Sequence, residues 1–545
     1  MNRFDWHNPY PPPRLPVFAR NVVSTSHPLA AQAGLCILWQ GGNAVDAAIA
    51  AAAVLTIVEP VSCGLGGDAF ALVWDGAKLH GLNASGVAPA AWSVDYFKQR
   101  YGEAGGVAQQ PKRGWDTATV PGVVAGWEAL HAKFGALPFG DLMASAIDIA
   151  ERGYAVASVV AQKWAAAVPE LKDQPGFAAA FMAHGRAPLV SELVRLPGHA
   201  STLRLLAEQG PRAFYEGEPA AKIAAFAREG GGAMTEADLR DYRPMWVEPI
   251  GKDYRGYTVH EIPPNGQGIA ALIALGILER FNLRDLPRDG IDSQHLQIEA
   301  MKLAFADVYR YVADPGAMEV TPEQMLDDDY LASRATLLDP KRATHFAFGM
   351  PRAGGTIYLT AADERGMMVS FIQSNYMGFG SGVVVPGTGI ALQNRGCGFS
   401  MDPRSPNVVA GGKRPFHTII PAFVTERVDG RQLPVMSFGV MGGDMQPQGH
   451  LQSIVRMLDY GQQPQAACDA PRWKVNRDFT LDIESTFDRG VAQALEARGH
   501  KIKAIDDPYM DFGSGQYIWK LSHDEPDRGY VAASDTRRDG LAAGF

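Results

Sequence analysis

Apolar residues recur at helical spacing over much of the chain before residue 312 and at strand spacing after residue 356. The helical pattern predicts helices at 30–38, 44–55, 121–134, 142–152, 200–209, 220–229, 269–281 and 293–311. Runs rich in β-branched and aromatic residues predict strands at 70–74, 258–262, 357–361, 368–373, 418–423 and 435–438. Helices and strands therefore both build the fold, and strands dominate the last third of the chain.

The stretch 315–355 interrupts this pattern. It is polar and irregular, and Asp327, Asp328 and Asp329 stand in its middle. Segments of this kind usually run over the surface as loops. We therefore expect an exposed tether between the helical part of the chain and the strand-rich part.

Composition excludes several classes of function. With 46% hydrophobic and 20% charged residues over 545 positions, the chain can bury a large core. The formal net charge of −9 and the lack of any basic run argue against a nucleic-acid partner. No apolar stretch reaches the roughly 20 residues of a membrane span, and residues 1–9 carry no apolar signal segment. Four cysteines without metal-type spacing or disulfide density agree with these features, and we expect a cytoplasmic protein.

The most informative short motif is Gly354-Gly355-Thr356, at the start of a predicted strand. An internal threonine is a poor nucleophile, because no group beside it takes the proton of its hydroxyl. Cleavage before Thr356 would create an α-amine whose pKa of roughly 7.7–8 suits a general base near neutral pH. A threonine with its own α-amine is a known nucleophile–base arrangement. Gly355 would give the backbone the freedom that attack on the preceding carbonyl requires. A plain glycine turn into a strand is the alternative meaning.

The wider context of this motif favours the first meaning. Many short segments along nearly the whole chain match the motifs of one protein family and follow the same order as in that family. They are 27–30, 41–48, 59–60, 64–70, 120–122, 214–217, 254–257, 263–266, 299–307, 314–315, 355–363, 366, 369–370, 378–382, 389–390, 413–415, 421 and 439–443. Together they resemble the γ-glutamyltransferase superfamily, whose members are N-terminal-nucleophile hydrolases that cut themselves into two subunits. The resemblance implies an α/β fold of the four-layer αββα sandwich type, built jointly by both cleavage products.

The resemblance also implies a site. Cleavage between Gly355 and Thr356 would leave a large subunit, 1–355, and a small subunit, 356–545, that form a heterodimer, and a higher oligomer stays open. Thr356 would be the nucleophile, and Ser374 stands where the family has a threonine that hydrogen-bonds it. Gly442 and Gly443 match the pair whose backbone N–H groups hold the oxyanion, although a simple turn after a strand is the alternative.

The expected γ-glutamyl pocket departs from the family. The family's arginine for the substrate α-carboxylate is missing, because 85–89 reads Ser-Gly-Val-Ala-Pro and no arginine occurs between Asp75 and Gln99. The family's acid for the α-ammonium aligns with Gly398, and its asparagine aligns with Tyr376.

Other polar residues could bind substrate instead. The candidates are Arg395, which could hold an anionic acyl group or be a surface charge; His417 and Thr418, which align with two serines near the acyl group; Tyr376; and Asp444, which could hold a cation or order the oxyanion loop. A histidine in a core is more often satisfied by hydrogen bonds within the protein than engaged with a ligand.

Two classes of function remain open at this point. The first is a self-processing amidohydrolase or acyltransferase, with a small amide as substrate and water or an amine as acceptor. Its acyl donor is either γ-glutamyl, as in glutathione, or a non-amino acyl group of the glutaryl, cephalosporin or oxamate type. The second is an unprocessed, non-catalytic relative. We expect no cofactor and no metal, since no Gly-x-Ser-x-Gly elbow, metal-ligand motif or dinucleotide motif stands out.

Overall fold

Two seven-stranded antiparallel sheets pack face to face, and helices cover the outer face of each. This computed structural model describes residues 5, 9–10, 14–344, 355–505 and 512–545. Gly354 of the Gly-Gly-Thr motif and positions 345–353 of the expected tether lie outside the described residues. The α/β four-layer sandwich implied by the resemblance is confirmed.

The chain passes several times between the two sheets. Their bounds are β1 Val17–Ala19, β2 Val22–Thr25, β3 Asp68–Trp74, β4 Leu79–Ala84, β5 Glu103–Ala104, β6 Val107–Ala108, β7 Tyr154–Ala155, β8 Leu193–Val194, β9 Met245–Val247, β10 Ile250–Tyr254, β11 Tyr257–Glu261, β12 Gly355–Ala362, β13 Met368–Tyr376, β14 Ala422–Val428, β15 Arg431–Met441, β16 Trp473–Val475, β17 Leu481–Glu484, β18 Ile502–Ile505, β19 Ser514–Lys520, β20 Tyr530–Ser534 and β21 Leu541–Gly544. Sheet A has the order β21-β2-β12-β13-β3-β4-β9, and sheet B has the order β1-β20-β19-β15-β14-β11-β10. A smaller sheet, β16-β17-β18, and two two-stranded sheets, β5-β6 and β7-β8, lie outside the sandwich.

The α-helices form the two outer layers and several peripheral connections. Their bounds are α1 Pro28–Trp39, α2 Ala44–Val58, α3 Val94–Tyr101, α4 Val123–Phe134, α5 Phe139–Arg152, α6 Ser158–Leu171, α7 Phe177–Phe181, α8 Pro197–Gln209, α9 Ala213–Glu216, α10 Glu218–Glu229, α11 Glu236–Asp241, α12 Ile269–Leu278, α13 Ile291–Tyr311, α14 Pro322–Met325, α15 Asp328–Ala335, α16 Met445–Leu458, α17 Pro464–Asp469 and α18 Arg489–Ala497. Helices α1, α2, α4 and α5 share one apolar core with sheet A, and α12, α13 and α16 share a second core with sheet B.

The composition of the central helix and of the inter-sheet strands explains the tight packing. All fifteen residues of α2 are buried, and its many alanines let it lie close to sheet A without strain. Between the sheets, the Thr360 hydroxyl hydrogen-bonds the Ser437 hydroxyl at 2.6 Å. The Tyr358 ring lies directly against Gly439, where any side chain would collide with it. Strand β12 is therefore fixed from both faces as well as from both edges.

Most of the elements predicted from the sequence are present with shifted ends, but three predictions need correction. The first concerns the tether, which is wrong for its described part. Thr321 caps α14 and Asp327 caps α15, and Leu331 of α15 is fully buried against Gly276 of α12. The acidic run therefore begins a helix, because aspartate at an N-terminus accepts hydrogen bonds from free backbone N–H groups.

The other two errors lie at element ends. The strand predicted at 418–423 begins only at Ala422, because the Ile420 N–H and the Thr418 carbonyl are bound by glutamine side chains instead of a neighbouring strand. The helix predicted to reach 281 ends at Leu278, where the Arg255 guanidinium binds the carbonyl oxygens of Leu278 and Phe281.

Candidate active site

Thr356 lies at the start of β12, in the middle of sheet A, and it is fully buried. On β13, Gly355 pairs with Tyr376 and Ile357 pairs with Gln373. The register therefore shifts between these pairs, which is a β-bulge. At the bulge, one residue of β12 faces two residues of β13. Bulges redirect side chains and are common beside active sites. This one brings the hydroxyl groups of Thr356 and Ser374 together.

Two polar side chains contact the Thr356 hydroxyl. Thr356 Oγ1 donates to Ser374 Oγ at 3.3 Å, and Ser374 Oγ accepts the Tyr376 N–H at 2.7 Å. On the other side, Gln446 Nε2 donates to Thr356 Oγ1 at 3.3 Å. The pairing of Ser374 with Thr356 agrees with the predicted arrangement. Gln446 was not predicted, since nothing in the local sequence relates it to a strand 90 positions earlier.

The glycine pair forms the turn from β15 to α16. Gly442 has a φ of +127° and Gly443 a φ of +61°, values that L side chains rarely adopt. The Gly443 carbonyl accepts the Gln267 Nε2–H at 2.9 Å, and the same nitrogen donates to the Thr418 carbonyl at 2.8 Å. Gln267, another residue that sequence reasoning missed, thus ties the glycine turn to the segment that contains Thr418.

Arg395 lies inside this assembly and is only 1% exposed, so its interpretation as a surface charge is wrong. Its NH1 nitrogen donates to Thr418 Oγ1 at 2.8 Å, and its guanidinium stacks over the Tyr376 ring at 4.5 Å. Its Nε and NH2 nitrogens are buried and have no hydrogen-bond partner in the described structure. Burial lowers the pKa of Arg395 to about 10, while the Asp68 carboxyl opposes that shift. A buried cation with two unused donors is an unsatisfied anion site.

His417 and Asp68 form a buried pair beside this arginine. His417 Nε2 lies 3.1 Å from Asp68 Oδ2, and His417 Nδ1 accepts the Ile419 N–H at 3.3 Å. The proton of the neutral ring is therefore on Nε2, and both ring nitrogens are engaged within the protein. Burial raises the pKa of Asp68 to about 7, against the opposing charge of Arg395. Burial, and then Arg395, lower the pKa of His417 well below its usual value.

Asp444 is matched by a cation of the protein itself. Arg477 binds both oxygens of Asp444, with Nε to Oδ2 at 2.5 Å and NH2 to Oδ1 at 2.8 Å. Asp444 directly precedes α16, so this ion pair holds the turn that follows the glycines. Of its two predicted roles, ordering the loop is the one that agrees with these contacts.

A cavity of about 700 Å³ opens beside the ion pair. Its wall includes the polar Arg477 and Tyr309 and, from the turn that carries Arg395, the residues Cys397, Gly398 and Phe399. Gly398 stands where the resemblance expects the acid for an α-ammonium, and it presents no charge to this cavity. The cavity is therefore lined at the position of the expected acid by a glycine, while the one carboxylate among its described lining residues, Asp478, comes from the segment that follows Arg477.

In the part of the chain that the structure describes, no group of three or more His, Cys, Asp or Glu side chains is arranged to hold a metal ion. Among the same residues, every helix is too short or too polar to cross a bilayer.

Comparisons with known proteins agree with this geometry. The gamma-glutamyltranspeptidase family model matches residues 30–545. The chain belongs to the gamma-glutamyltranspeptidase family. It is accordingly an enzyme of the N-terminal-nucleophile hydrolase type, and the non-catalytic alternative loses its support.

Three known proteins are similar to the chain over nearly its whole length. It is 35% identical to the glutathione hydrolase-like YwrD proenzyme of Bacillus subtilis, over 96% of this chain and 98% of that one. It is 35% identical to the oxamate amidohydrolase proenzyme of Klebsiella pneumoniae, over 97% and 99% of the two chains. The crystal structure of cephalosporin acylase from Bacillus halodurans superposes with a TM-score of 0.92 at 48% identity, over 99% and 98% of the two chains.

Proposed function

We propose that this chain is a self-processing amidohydrolase whose nucleophile is Thr356 and whose acyl substrate carries a carboxylate bound by Arg395. The observation that carries the proposal is the buried Arg395 guanidinium, which has two nitrogens without partners. It lies over the ring of Tyr376, whose N–H bonds the Ser374 hydroxyl that Thr356 contacts. Planar guanidinium groups bind carboxylates through two parallel hydrogen bonds. A carboxylate on the acyl group would satisfy both nitrogens at once.

The proposed reaction uses groups that surround Thr356. The α-amine freed by cleavage takes the proton of the Thr356 hydroxyl, Oγ1 attacks the amide carbonyl, and the carbonyl oxygen becomes an oxyanion beside Gly442 and Gly443. The amine then leaves with a proton from the α-ammonium, and an ester on Oγ1 remains. Water attacks this ester with the α-amine as base, which releases the acid and restores the hydroxyl.

The names of the relatives support a non-amino acyl group. One is an oxamate amidohydrolase and another a cephalosporin acylase, neither of which is named for a γ-glutamyl substrate. The local chemistry points the same way, because Gly398 offers no carboxylate to an α-ammonium. The proposal also includes a small amide as substrate and water or an amine as acceptor. It further includes a heterodimer of the two cleavage products, 1–355 and 356–545.

Cleavage of γ-glutamyl compounds such as glutathione is the second candidate. It is favoured by the similarity to a protein named as glutathione hydrolase-like. It would require the ammonium of the γ-glutamyl group to bind without the expected acid. We therefore rank it below a carboxylate-bearing acyl group that lacks the amine.

The nucleophile is tested with Thr356→Ala. The expected result is a folded chain that stays intact on denaturing electrophoresis and hydrolyses no acyl-amide, because both cleavage and turnover use Oγ1. Thr356→Ser should retain part of each activity. The matched control is Thr360→Ala, on the same strand, whose hydroxyl bonds Ser437 and the Val369 carbonyl. Normal cleavage of Thr356→Ala at residue 355 would refute the assignment.

A further inference from the structure

Gln446 contacts the same hydroxyl oxygen of Thr356 that bonds Ser374. Its amide is fixed at both ends, since Oε1 accepts the Ile420 N–H at 3.0 Å and Nε2 reaches Thr356 Oγ1 at 3.3 Å. The Ile420 N–H requires an oxygen as acceptor, so the amide cannot be turned around. Gln446 is fully buried. It therefore presents an N–H donor to Oγ1, and water does not compete for it.

The fold holds this donor at the glycine turn. Gln446 lies in the first turn of α16, and its own backbone N–H donates to the Gly443 carbonyl at 3.2 Å. The 14-residue α16 begins here, and the partial positive charge of a helix N-terminus favours nearby negative charge. A hydrogen bond thus connects Gln446, whose side chain contacts the nucleophile, to the turn that is predicted to hold the oxyanion.

We propose that Gln446 is a catalytic residue that stabilises negative charge on Thr356 Oγ1, an inference that rests on the proposed function. During acylation, the hydroxyl proton passes to the α-amine while the bond from Oγ1 to the acyl carbon forms, and Oγ1 carries partial negative charge before that bond is complete. During deacylation, the bond from Oγ1 to the acyl carbon breaks, and Oγ1 holds the electron pair until the α-ammonium returns its proton. An N–H donor favours the charged form of the oxygen in both steps.

The same contact serves self-cleavage. There Oγ1 forms a bond to the Gly355 carbonyl carbon, the bond from that carbon to the Thr356 nitrogen breaks, and the nitrogen takes up the proton that the Thr356 hydroxyl has lost and becomes the free α-amine. Water then hydrolyses the ester between Gly355 and Oγ1. No α-amine exists before this event, so stabilisation of Oγ1 by a fixed donor matters more in the precursor than in the mature enzyme.

Two substitutions separate this role from a structural one. Gln446→Met removes the donor and the acceptor, whereas Gln446→Glu keeps an oxygen for the Ile420 N–H and loses only the donor when it is ionised. The matched control is Gln452→Met, on the same helix, because the Gln452 amide also bonds backbone groups, at Gln448 and Trp473, without touching Thr356. Purified precursor is followed by electrophoresis, and cleaved enzyme is assayed with an acyl p-nitroanilide.

We expect both Gln446 variants to lose about 10- to 100-fold in kcat and in the rate of self-cleavage, a range at or below the loss of one oxyanion donor. At about pH 9 the introduced glutamate is ionised. Its charge should move the acid limb of the kcat/KM profile to higher pH, since it favours the α-ammonium, whereas Gln446→Met should leave that limb in place. Gln452→Met should keep the wild-type kcat.

The kcat of the Gln446 variants and their rate of self-cleavage decide between the catalytic and the structural role. A kcat of Gln446→Met within about twofold of Gln452→Met, or a wild-type kcat in Gln446→Glu at about pH 9, where the glutamate is ionised, would overturn the inference and leave Gln446 as a loop anchor. A folded Gln446→Met precursor that fails to cleave while Gln452→Met cleaves supports it. Failure of the proposed function itself is separate, since it would appear as activity in Thr356→Ala.

Discussion

Arg395 provides the sharpest test of substrate class, because its contribution can be worked out from its unused nitrogens. Two nitrogens of a buried guanidinium are available to an acyl carboxylate. A hydrogen bond to a charged group is worth about 1.5–3 kcal/mol, so a two-bond clamp is worth roughly 3–6 kcal/mol. Each 1.4 kcal/mol corresponds to about tenfold. Arg395→Met should therefore lower kcat/KM for a carboxylate-bearing acyl amide by about 100- to 10,000-fold.

The assay compares two substrates that differ only at the far end of the acyl chain. Glutaryl-p-nitroanilide carries a terminal carboxylate, and valeryl-p-nitroanilide ends in a methyl group. Wild-type enzyme should prefer the glutaryl compound, and Arg395→Met should abolish that preference or reverse it. Arg395→Lys should recover only part of it, because an ammonium keeps the charge without the planar pair of donors. The γ-glutamyl analogue, which adds an α-ammonium, should remain a poor substrate throughout.

Stability has to be followed in the same variants. Arg395 opposes the rise in the pKa of Asp68, so its removal favours the protonated form of that carboxyl. Asp68 would then stay neutral over a wider pH range, which limits the cost of losing its counter-charge. Thermal unfolding of Arg395→Met and Arg395→Lys shows whether a loss of activity reflects unfolding. An unchanged ratio of the glutaryl to the valeryl rate in folded Arg395→Met would refute the carboxylate site.

Two further predictions concern the glycine turn and the buried acid. Gly442→Ala should lower kcat by about 100-fold, because its Cβ would lie 2.9 Å from Gly513 Cα and force the turn to move. The control is Gly76→Ala, which is also at positive φ but has open space around it. It should lose similar stability, measured by urea unfolding, and keep the wild-type kcat. The pKa of Asp68 is raised from 3.8 to about 7, so its protonated form contributes stability that is fully present below pH 3.8 and is lost as pH rises through about 7. The excess unfolding free energy of wild type over Asp68→Asn should therefore fall as pH rises from 3.8 to about 7, and a constant difference would contradict the burial of a neutral acid.

The sequence predicts the parts of the site that lie on periodic elements. The strand after Gly355, the strand with Ser374 and the glycine turn after β15 follow from local patterns and from the resemblance. Helix α16 does not, because Pro447 and Gly449 look like helix breakers. In the structure Pro447 occupies the first turn, where its missing N–H has little cost, and a side chain on Gly449 would collide with Val440 of β15.

The unpredicted site residues act over long separations. Gln446, Gln267 and Asp68 reach Thr356, Gly443 and His417 through side-chain contacts between residues 90, 176 and 349 positions apart. Such contacts leave no periodic trace, since a buried glutamine satisfies whichever backbone group the fold brings to it. The irregular segment 418–421 has the same cause, because its backbone groups are satisfied by these glutamines.

The position of the proposed cut within the fold bears on whether two pieces would stay together. Strand β12 pairs with β2 on one side and β13 on the other, and sheet A also takes β3, β4 and β9 from before residue 355. Sheet B likewise combines β1, β10 and β11 with strands from after residue 356. Scission after Gly355 leaves every pair from Ile357 onward intact. Neither piece could bury its sheet faces alone, so cleavage would free the Thr356 amine inside a core that both pieces continue to hold.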